Sequence, residues 1–119
     1  MNKVILIGRV GKDPEYRNFE SGSEVANFTL ATSEKFKDKD GKVQEQTEWH
    51  NVVAWGKIAS TINSYVKKGS QIMVEGKIKT RSWKKDNGEK AYSTDINLER
   101  LELIGSKPQD KYNGDDLPE

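Results

Sequence analysis

Two tryptophans on one predicted strand have the type and spacing needed to stack on flat aromatic ligands. Trp49 and Trp55 lie in the segment from Thr47 to Gly56, and they share a parity with Asn51 and Val53. Because strand side chains alternate between faces, both indoles lie on one face, about 20 Å apart at about 3.3 Å per residue. At that separation the rings cannot touch each other, but they could form two separate stacking platforms.

A second predicted strand, from Ser70 to Trp83, pairs a basic face with a third tryptophan. One face carries Met73, Glu75, Lys77, Lys79, Arg81 and Trp83, and the other carries Ile72, Val74, Gly76 and Ile78. The apolar face belongs to the core, so Trp83 lies on the opposite side. Lysine and arginine neutralise phosphates, and exposed rings stack on unpaired bases at roughly 1–3 kcal/mol per base. The pattern therefore indicates a surface for single-stranded nucleic acid, and a core position for each tryptophan is the competing interpretation.

Catalytic and metal chemistry find little support in the residue types. The chain has no cysteine and a single histidine, His50, which excludes disulfides, thiolate nucleophiles and a typical zinc site. A general base at position 50 is conceivable, but its like-parity neighbours are Val52 and Ala54, which favours a packed or interfacial histidine. Asp13 and Glu15 could hold a metal for a nuclease, but they lie in a proline-containing turn. We expect a binding protein without a cofactor, and not an enzyme.

Length and charge limit the number of domains, the kind of partner and the location of the protein. A chain of 119 residues predicts one folded domain. Residues 1–104 hold 18 basic and 15 acidic residues, whereas residues 105–119 hold two lysines and four carboxylates. This mildly basic body with an acidic end is compatible with a polyanionic partner. No apolar run reaches about 18 residues and no secretory signal is recognisable, so we expect a cytoplasmic protein.

Strands dominate the predicted elements, which are the segments 3–10, 24–32, 47–56, 70–83 and 91–104. One helix, residues 57–68, is indicated by Ile58, Ile62, Tyr65 and Val66 at helical spacing. Five strands with a helix between the third and fourth are typical of an all-β OB-fold barrel. We predict that barrel, with long hairpin extensions, as domain 1–104, followed by a short acidic disordered tail at 105–119.

Local signals refine this layout. Asp40-Gly41 and Asn87-Gly88 predict hairpin turns, the second of type I′. The apolar parity of the last strand changes near Glu99–Arg100, which predicts a bulge there. The first strand is apolar on both faces over Val4–Ile7, so we expect the core on one side and a helix or second subunit on the other.

The order of motifs along the chain resembles that of bacterial single-stranded DNA-binding proteins, the SSB family. The matching segments are Asn2-Lys3-Val4-Ile5-Leu6-Ile7-Gly8, Gly11-Lys12-Asp13-Pro14-Glu15, Val25-Ala26-Asn27-Phe28-Thr29-Leu30-Ala31-Thr32-Ser33-Glu34, Glu45-Gln46-Thr47-Glu48-Trp49-His50, Gly56-Lys57, Lys68-Gly69-Ser70-Gln71 and Thr80-Arg81-Ser82-Trp83. They span nearly all of residues 2–104 in the family's order, which makes the resemblance far more specific than any single motif.

The resemblance implies an OB-fold, usually assembled as a homotetramer, and it assigns roles to particular residues. The stacking aromatics fall on Phe36, Trp49, Trp55 and Trp83, and the phosphate contacts fall on Lys57, Lys68, Lys79 and Arg81. Lys84 is added to the phosphate contacts because it is next to Trp83. His50 occupies a position that lies at a subunit interface in the family, and the two-sided first strand adds Val4 and Leu6 to the predicted interface.

The function implied is sequence-independent binding and protection of single-stranded DNA in replication, recombination and repair, in a nucleoid-associated protein. Family members end in an acidic tip followed by Pro-Phe, which docks replication and repair proteins. Here the corresponding tip is Asp115, Asp116, Leu117 and Pro118, and Glu119 stands in place of the phenylalanine.

Three other functions remain open on the residues alone. An RNA-binding or primosome-type OB protein would prefer RNA, through contacts to the 2′-hydroxyl group. A metal-dependent nuclease on an OB barrel would need clustered carboxylates and would degrade DNA when Mg²⁺ is added. A protein-interaction module would have no affinity for nucleic acid at low salt.

Overall fold

Long β-hairpins build most of the molecule, because apolar and polar residues alternate along their strands. The computed structural model describes residues 1–105. Its elements are β1 (Val4–Val10), β2 (Glu15–Asn18), β3 (Glu24–Lys37), β4 (Val43–Trp55), α1 (Lys57–Tyr65), β5 (Gln71–Lys84) and β6 (Lys90–Ile104). The single helix of this part of the chain is too short to span a membrane.

The strands close into a barrel. Their order is β1-β5-β6-β4-β3-β2, and β1 also pairs with β3 through Arg9 and Val10, which completes the ring of five strands. The pairing of β4 with β6 is parallel and the other pairings are antiparallel. The predicted OB-fold barrel is confirmed, with α1 between the third and fourth of its five strands.

Strand β2 was not predicted. Its four residues follow the Asp13-Pro14 turn and carry no alternating apolar pattern. It exists because it pairs with β3, where Glu15 lies opposite Asn27 and Arg17 lies opposite Val25. The two strands form a short hairpin through residues 19–23, and β2 was missed because its residues lack the alternating apolar pattern that marked the other strands.

The core forms where the even-numbered faces of the strands meet inside the barrel. The largest fully buried side chains are Leu30, Ile62, Ile72, Val52 and Val74. Helix α1 covers the barrel with the buried residues Ala59 and Ile62. It ends at Tyr65, earlier than predicted, because Val66 turns to an extended conformation with ψ of 130°. Tyr65 is exposed, so it does not belong to the buried stripe that its spacing predicted, and Lys68 lies beyond the helix.

The predicted bulge in the last strand is confirmed. Glu75 pairs with Arg100 and Gly76 pairs with Leu98, so Glu99 has no opposing residue on β5. The extra residue restores the inward orientation of the apolar side chains on both halves of β6. Gly76 is required at this point, since a Cβ atom there would come within 2.1 Å of the Asn97 carbonyl oxygen.

The turn between β5 and β6 differs from the predicted type. Gly88 has φ of +88° and donates its N–H to the Lys85 carbonyl, so the turn spans Lys85 to Gly88. Within residues 1–105, positive φ occurs only at glycines, which excludes the left-handed Asn87 that a type I′ turn requires. A type I turn followed by a left-handed glycine closes the hairpin instead.

Strand β1 has the two-sided apolar character that its sequence indicated. Val4 and Leu6 are half-buried and pack against the core, whereas Ile5 and Ile7 are 59% and 56% exposed. The predicted domain boundary falls at the end of β6, and the tail that follows residue 105 lies outside the described residues.

Candidate nucleic-acid interface

One outer face of the barrel collects the odd-numbered residues of five strands. In register, Asn27 lies opposite Val53, which lies opposite Asn97. In the next row, Asn51 lies beside Asp95. The residues of β2 and β5 that pair with this face are also odd-numbered: Glu15 lies opposite Asn27, and Lys79 lies opposite Asp95. Because strand side chains alternate, the side chains of this face point away from the core along the whole width of the sheet.

A groove of two adjoining cavities lies along this face. Both cavities are lined by Glu15, Asn27, Val53, Arg81 and Asp95, which form the common floor and walls. The smaller, of about 260 Å³, adds Lys12 and Asn51, and the larger, of about 600 Å³, adds Arg17, Phe19, Trp55 and Lys79. These two cavities together are called the groove below.

The three tryptophans are exposed, which rules out the core position that competed with a binding role. Trp49, Trp55 and Trp83 are 61%, 56% and 45% exposed, while their even-numbered neighbours Val52 and Ala54 are buried. Trp55 lines the groove, and the other two flank it. The ring of Trp49 lies against Gly11 at one end, where a Cβ atom would come within 2.5 Å of ring atom Cζ3.

Arg81 links the groove to the third tryptophan. Its guanidinium carbon lies 5.3 Å from the centroid of the Trp83 ring, a cation–π distance. Its Nε donates to Oδ2 of Asp95 at 2.8 Å, and the other carboxylate oxygen accepts from Ser93 Oγ at 3.1 Å. Since the ion pair uses Nε, the two terminal amino groups of Arg81 remain for a phosphate.

The other predicted phosphate contacts differ in their relation to the groove. Lys79 lines the larger cavity. Lys68 adjoins the Lys12 end, because its backbone N–H donates to Oδ1 of Asp13 at 2.8 Å. Lys57 begins α1 and Lys84 ends β5; both are exposed, and the groove is not lined by either. Their predicted phosphate contacts stay predictions.

Phe36 is exposed but lies apart from the tryptophans. It pairs with Gln44, and unbroken register along the β3–β4 hairpin gives it the parity of His50. Phe36 therefore occupies the opposite face of the hairpin from Trp49 and Trp55. A nucleic-acid strand lying along the groove would have to pass round the edge of the β3–β4 hairpin to reach Phe36.

Several groove residues were missed by sequence reasoning. Arg17 and Phe19 were missed because β2 was not predicted. Asn27 shares the outward parity of its strand and could have been found from that parity. Asn97 and Asp95 required the parallel pairing of β4 with β6, which joins segments more than forty residues apart.

His50 lies outside the groove, in a neighbouring cleft of about 290 Å³ that Val4, Ile78 and Ile96 line together with Trp49 and Asn51, and Asn51 also lines the smaller cavity of the groove. Its Nε2 lies 2.9 Å from Thr32 Oγ1. The residues that line the cleft include no carboxylate to orient the imidazole as a general base. Two of the three predicted interface residues thus share one cleft, and the third, Leu6, packs against the core.

Among residues 1–105, no group of three or more histidine, cysteine or acidic side chains is arranged to hold a metal ion. Asp13 accepts a hydrogen bond from the Lys68 backbone, and Asp95 is paired with Arg81. The predicted docking tip, Asp115 to Pro118, lies outside the described residues.

Comparisons with known proteins agree in family and fold. The model of the single-strand binding protein family matches residues 1–104. Single-stranded DNA-binding protein 1 of Chlorobaculum tepidum is 52% identical over 108 residues, which are 90% of this chain and 67% of that protein. The Plasmodium falciparum SSB complex with ssDNA superposes with a TM-score of 0.81 at 33% identity, covering 88% of this chain and 96% of that one. A deletion mutant of the single-stranded DNA binding protein from Thermus aquaticus superposes with a TM-score of 0.77 at 28% identity, covering 90% of this chain and 52% of that one.

Proposed function

The chain belongs to the single-strand binding protein family, and we propose that it binds and protects single-stranded DNA in replication, recombination and repair, independently of base sequence. The observation that carries the proposal is the exposure of three tryptophans on and beside one groove that also holds Lys79 and Arg81. The protein acts by binding, with no catalytic step.

Independence from base sequence follows from the chemistry of these side chains. Every base has a π-face, so stacking on an indole does not depend on which base is present. The charges of lysine and arginine neutralise the backbone, which is the same at every nucleotide. The exposed rings and cations of the groove therefore support binding to any unpaired DNA strand, whatever its base sequence.

We further propose that the protein assembles as a homotetramer. Residues 4–8 of β1 pair with β5 on one edge, and β3 reaches only Arg9 and Val10 on the other. An open edge beside the exposed side chains of Ile5 and Ile7 supports pairing with a second copy. The cleft that His50 and Val4 share offers a second apolar contact surface.

Two further parts of the proposal rest on the family resemblance. Asp115, Asp116, Leu117 and Pro118 would dock replication and repair proteins, and Glu119 in place of the family's phenylalanine would weaken that docking. The protein would act in the cytoplasm, associated with nucleoid DNA.

The experiment that tests the central proposal is a titration of tryptophan fluorescence with a thymine homopolymer of several dozen nucleotides. We expect strong, saturable quenching at low salt, because the exposed indoles stack on bases. If Lys12, Arg17, Lys79 and Arg81 each neutralise one phosphate, log K should fall with log salt at a slope of about −3 per subunit.

The controls separate the alternative functions. RNA of equal length should bind more weakly than DNA, and added Mg²⁺ should leave the DNA intact. Tighter binding of RNA would favour an RNA-binding protein, and degradation of DNA would favour a nuclease. Absence of quenching and of binding at low salt would overturn the proposal.

A further inference from the structure

The larger cavity of the groove contains a slot whose walls come from two different strands. On this face β3 runs between β2 and β4, and Val25 lies opposite Arg17 on one side and opposite Trp55 on the other. Neighbouring strands are about 4.8 Å apart, so the two outer backbones are separated by about 10 Å. Val25 is buried, and it forms an apolar floor between two long side chains.

The width of the slot fits one base between two planar groups. Stacked planes are about 3.4 Å apart, so a guanidinium, a base and an indole need about 7 Å between the outer two. Arginine guanidinium planes and aromatic rings are both groups on which unpaired bases stack. Arg17 and Trp55 both line the cavity of about 600 Å³, which leaves room for a ring between them.

Phe19 bounds the same cavity and is held in place by a tight turn. Its N–H donates to the Ser23 carbonyl at 2.8 Å, and its own carbonyl accepts from the Gly22 N–H at 2.9 Å. The ring is 41% exposed, so it is available as an apolar wall.

The charges at the edges of the cavity determine how a DNA strand would lie across it. Glu15 is on the β2 side, whereas Lys79 and Arg81 are on the β5 side. Neither Arg17 nor Lys79 takes part in an ion pair among residues 1–105. On β2 the charge of Glu15 offsets that of Arg17, whereas β5 presents two cations, so phosphates are attracted more strongly to the β5 side and the bases point towards β2.

We propose that Arg17 and Trp55 sandwich one unpaired base over Val25, with Phe19 closing the slot. This inference rests on the proposed binding of single-stranded DNA and gives β2 a direct part in it. Arg17 contributes the plane of its guanidinium as well as its charge.

The test uses a protein in which Trp55 is the remaining tryptophan, with Trp49→Phe and Trp83→Phe, titrated with the thymine homopolymer. In this background Arg17→Lys keeps the charge and removes the plane. We expect it to lower the maximal quenching of Trp55 by at least half and to weaken binding about five- to tenfold. Phe19→Ala should act in the same direction. Asn18→Ala, on the other face of the same strand, is the matched control and should leave both quantities unchanged.

The outcomes distinguish this inference from the function on which it rests. The parent here is the protein in which Trp55 is the remaining tryptophan. If it binds with quenching and Arg17→Lys shows the same affinity and quenching, charge alone suffices and the sandwich is wrong, while the proposed function stands. If the parent neither binds nor is quenched at low salt, both fail. Thermal melting of each variant confirms that the folded protein is being compared.

Discussion

Arg81 is held from two sides, by the nearly buried carboxylate of Asp95 and by the exposed ring of Trp83. The side chain of Asp95 is 8% exposed and that of Arg81 is 65% exposed, so the pair joins the interior of the groove wall to its surface. A cation restrained in this way loses little conformational freedom when it meets a phosphate, which favours affinity. The same contact also stabilises the fold, because it compensates a carboxylate that water hardly reaches.

Binding and stability at Arg81 can be separated with a double-mutant cycle. Arg81→Ala should lower the free energy of unfolding by about 1–3 kcal/mol, because Asp95 is left without its cation. Combining it with Asp95→Asn should restore most of that loss without restoring DNA affinity. Urea denaturation and fluorescence titration measure the two quantities. Equal stability of the single and double variants would show that the unpaired carboxylate of Asp95 is not the cause of the loss.

The hairpin of β5 and β6 carries an aromatic residue on each face, which provides a matched comparison. Trp83 shares the parity of Arg81, and Tyr92 lies opposite Ser82 on the other face. Trp83→Ala should weaken binding of single-stranded DNA by about 1–3 kcal/mol. Both rings are exposed, so each substitution should change the free energy of unfolding by at most about 0.5 kcal/mol.

Tyr92→Ala should leave the affinity unchanged, because that ring faces away from the groove. Equal losses for the two variants would contradict the assignment of one face to DNA. Fluorescence anisotropy of a labelled oligonucleotide measures both affinities without relying on the tryptophans.

Among the elements, β2 has the least support from its own sequence and depends most on its contacts. Four residue pairs join it to β3. The Tyr16 hydroxyl also donates to the Glu24 carboxylate. That hydrogen bond, with a smaller contribution from burial, raises the pKa of the Tyr16 phenol above its usual value of 10.0. The anchored strand then holds Arg17 and Phe19 at the groove.

The raised pKa gives the anchor a dependence on pH. A group whose pKa is higher in the folded state contributes its stability fully below the unfolded value, near pH 10, and loses it as pH rises through the folded value. The folded protein should therefore lose this contribution in strongly alkaline solution. Tyr16→Phe lacks the hydrogen bond at every pH, so it should melt below the parent protein at pH 8.

The difference between the two melting temperatures should shrink as pH rises above about 10, where the phenol ionises in the unfolded chain. Thermal denaturation followed by circular dichroism provides the measurement. A difference that stayed constant across this range would contradict the raised pKa, and equal melting temperatures at pH 8 would show that Tyr16 stabilises the strand by packing alone.

At the scale of the whole molecule, the barrel keeps the groove and its exposed apolar strand on different surfaces. Ile5 and Ile7 line neither cavity of the groove. Both are more than half exposed on β1, whose outer edge is open over residues 4–8. Self-association through β1 would therefore leave the groove of each subunit accessible to DNA.

Charge placed on β1 should disrupt the assembly and spare the fold. We expect Ile7→Lys to reduce the sedimenting mass from that of a tetramer towards smaller species, because a lysine would be buried without a partner at the interface. Tyr65→Lys alters an equally exposed residue on α1 and serves as the control. Analytical ultracentrifugation, with circular dichroism to verify folding, gives the result. An unchanged mass for Ile7→Lys would place the interface elsewhere.

The sequence by itself determined the barrel and the outward orientation of its tryptophans. Alternation along a strand is a local property, so the exposure of Trp49, Trp55 and Trp83 followed from their parity relative to buried neighbours. The parity change in the last strand similarly located the bulge at Glu99. For each of these features, the residues that decide the outcome lie within a few positions of one another.

Only the tertiary structure showed that β2 contributes side chains to the groove and that Phe36 lies on the other face of its hairpin. Arg17 and Phe19 reach the site because β2 pairs with β3, and Asp95 reaches it because β6 runs parallel to β4. The early end of α1 and the type I turn at Gly88 also depended on backbone hydrogen bonds that residue types did not specify. The physical reason for Asp95 is that the pairing of β4 with β6 joins backbone groups more than forty residues apart, so its register appears only once the barrel has closed. Strand β2 is close to β3 in the chain, but its existence depends on backbone pairing that its own residue types do not signal.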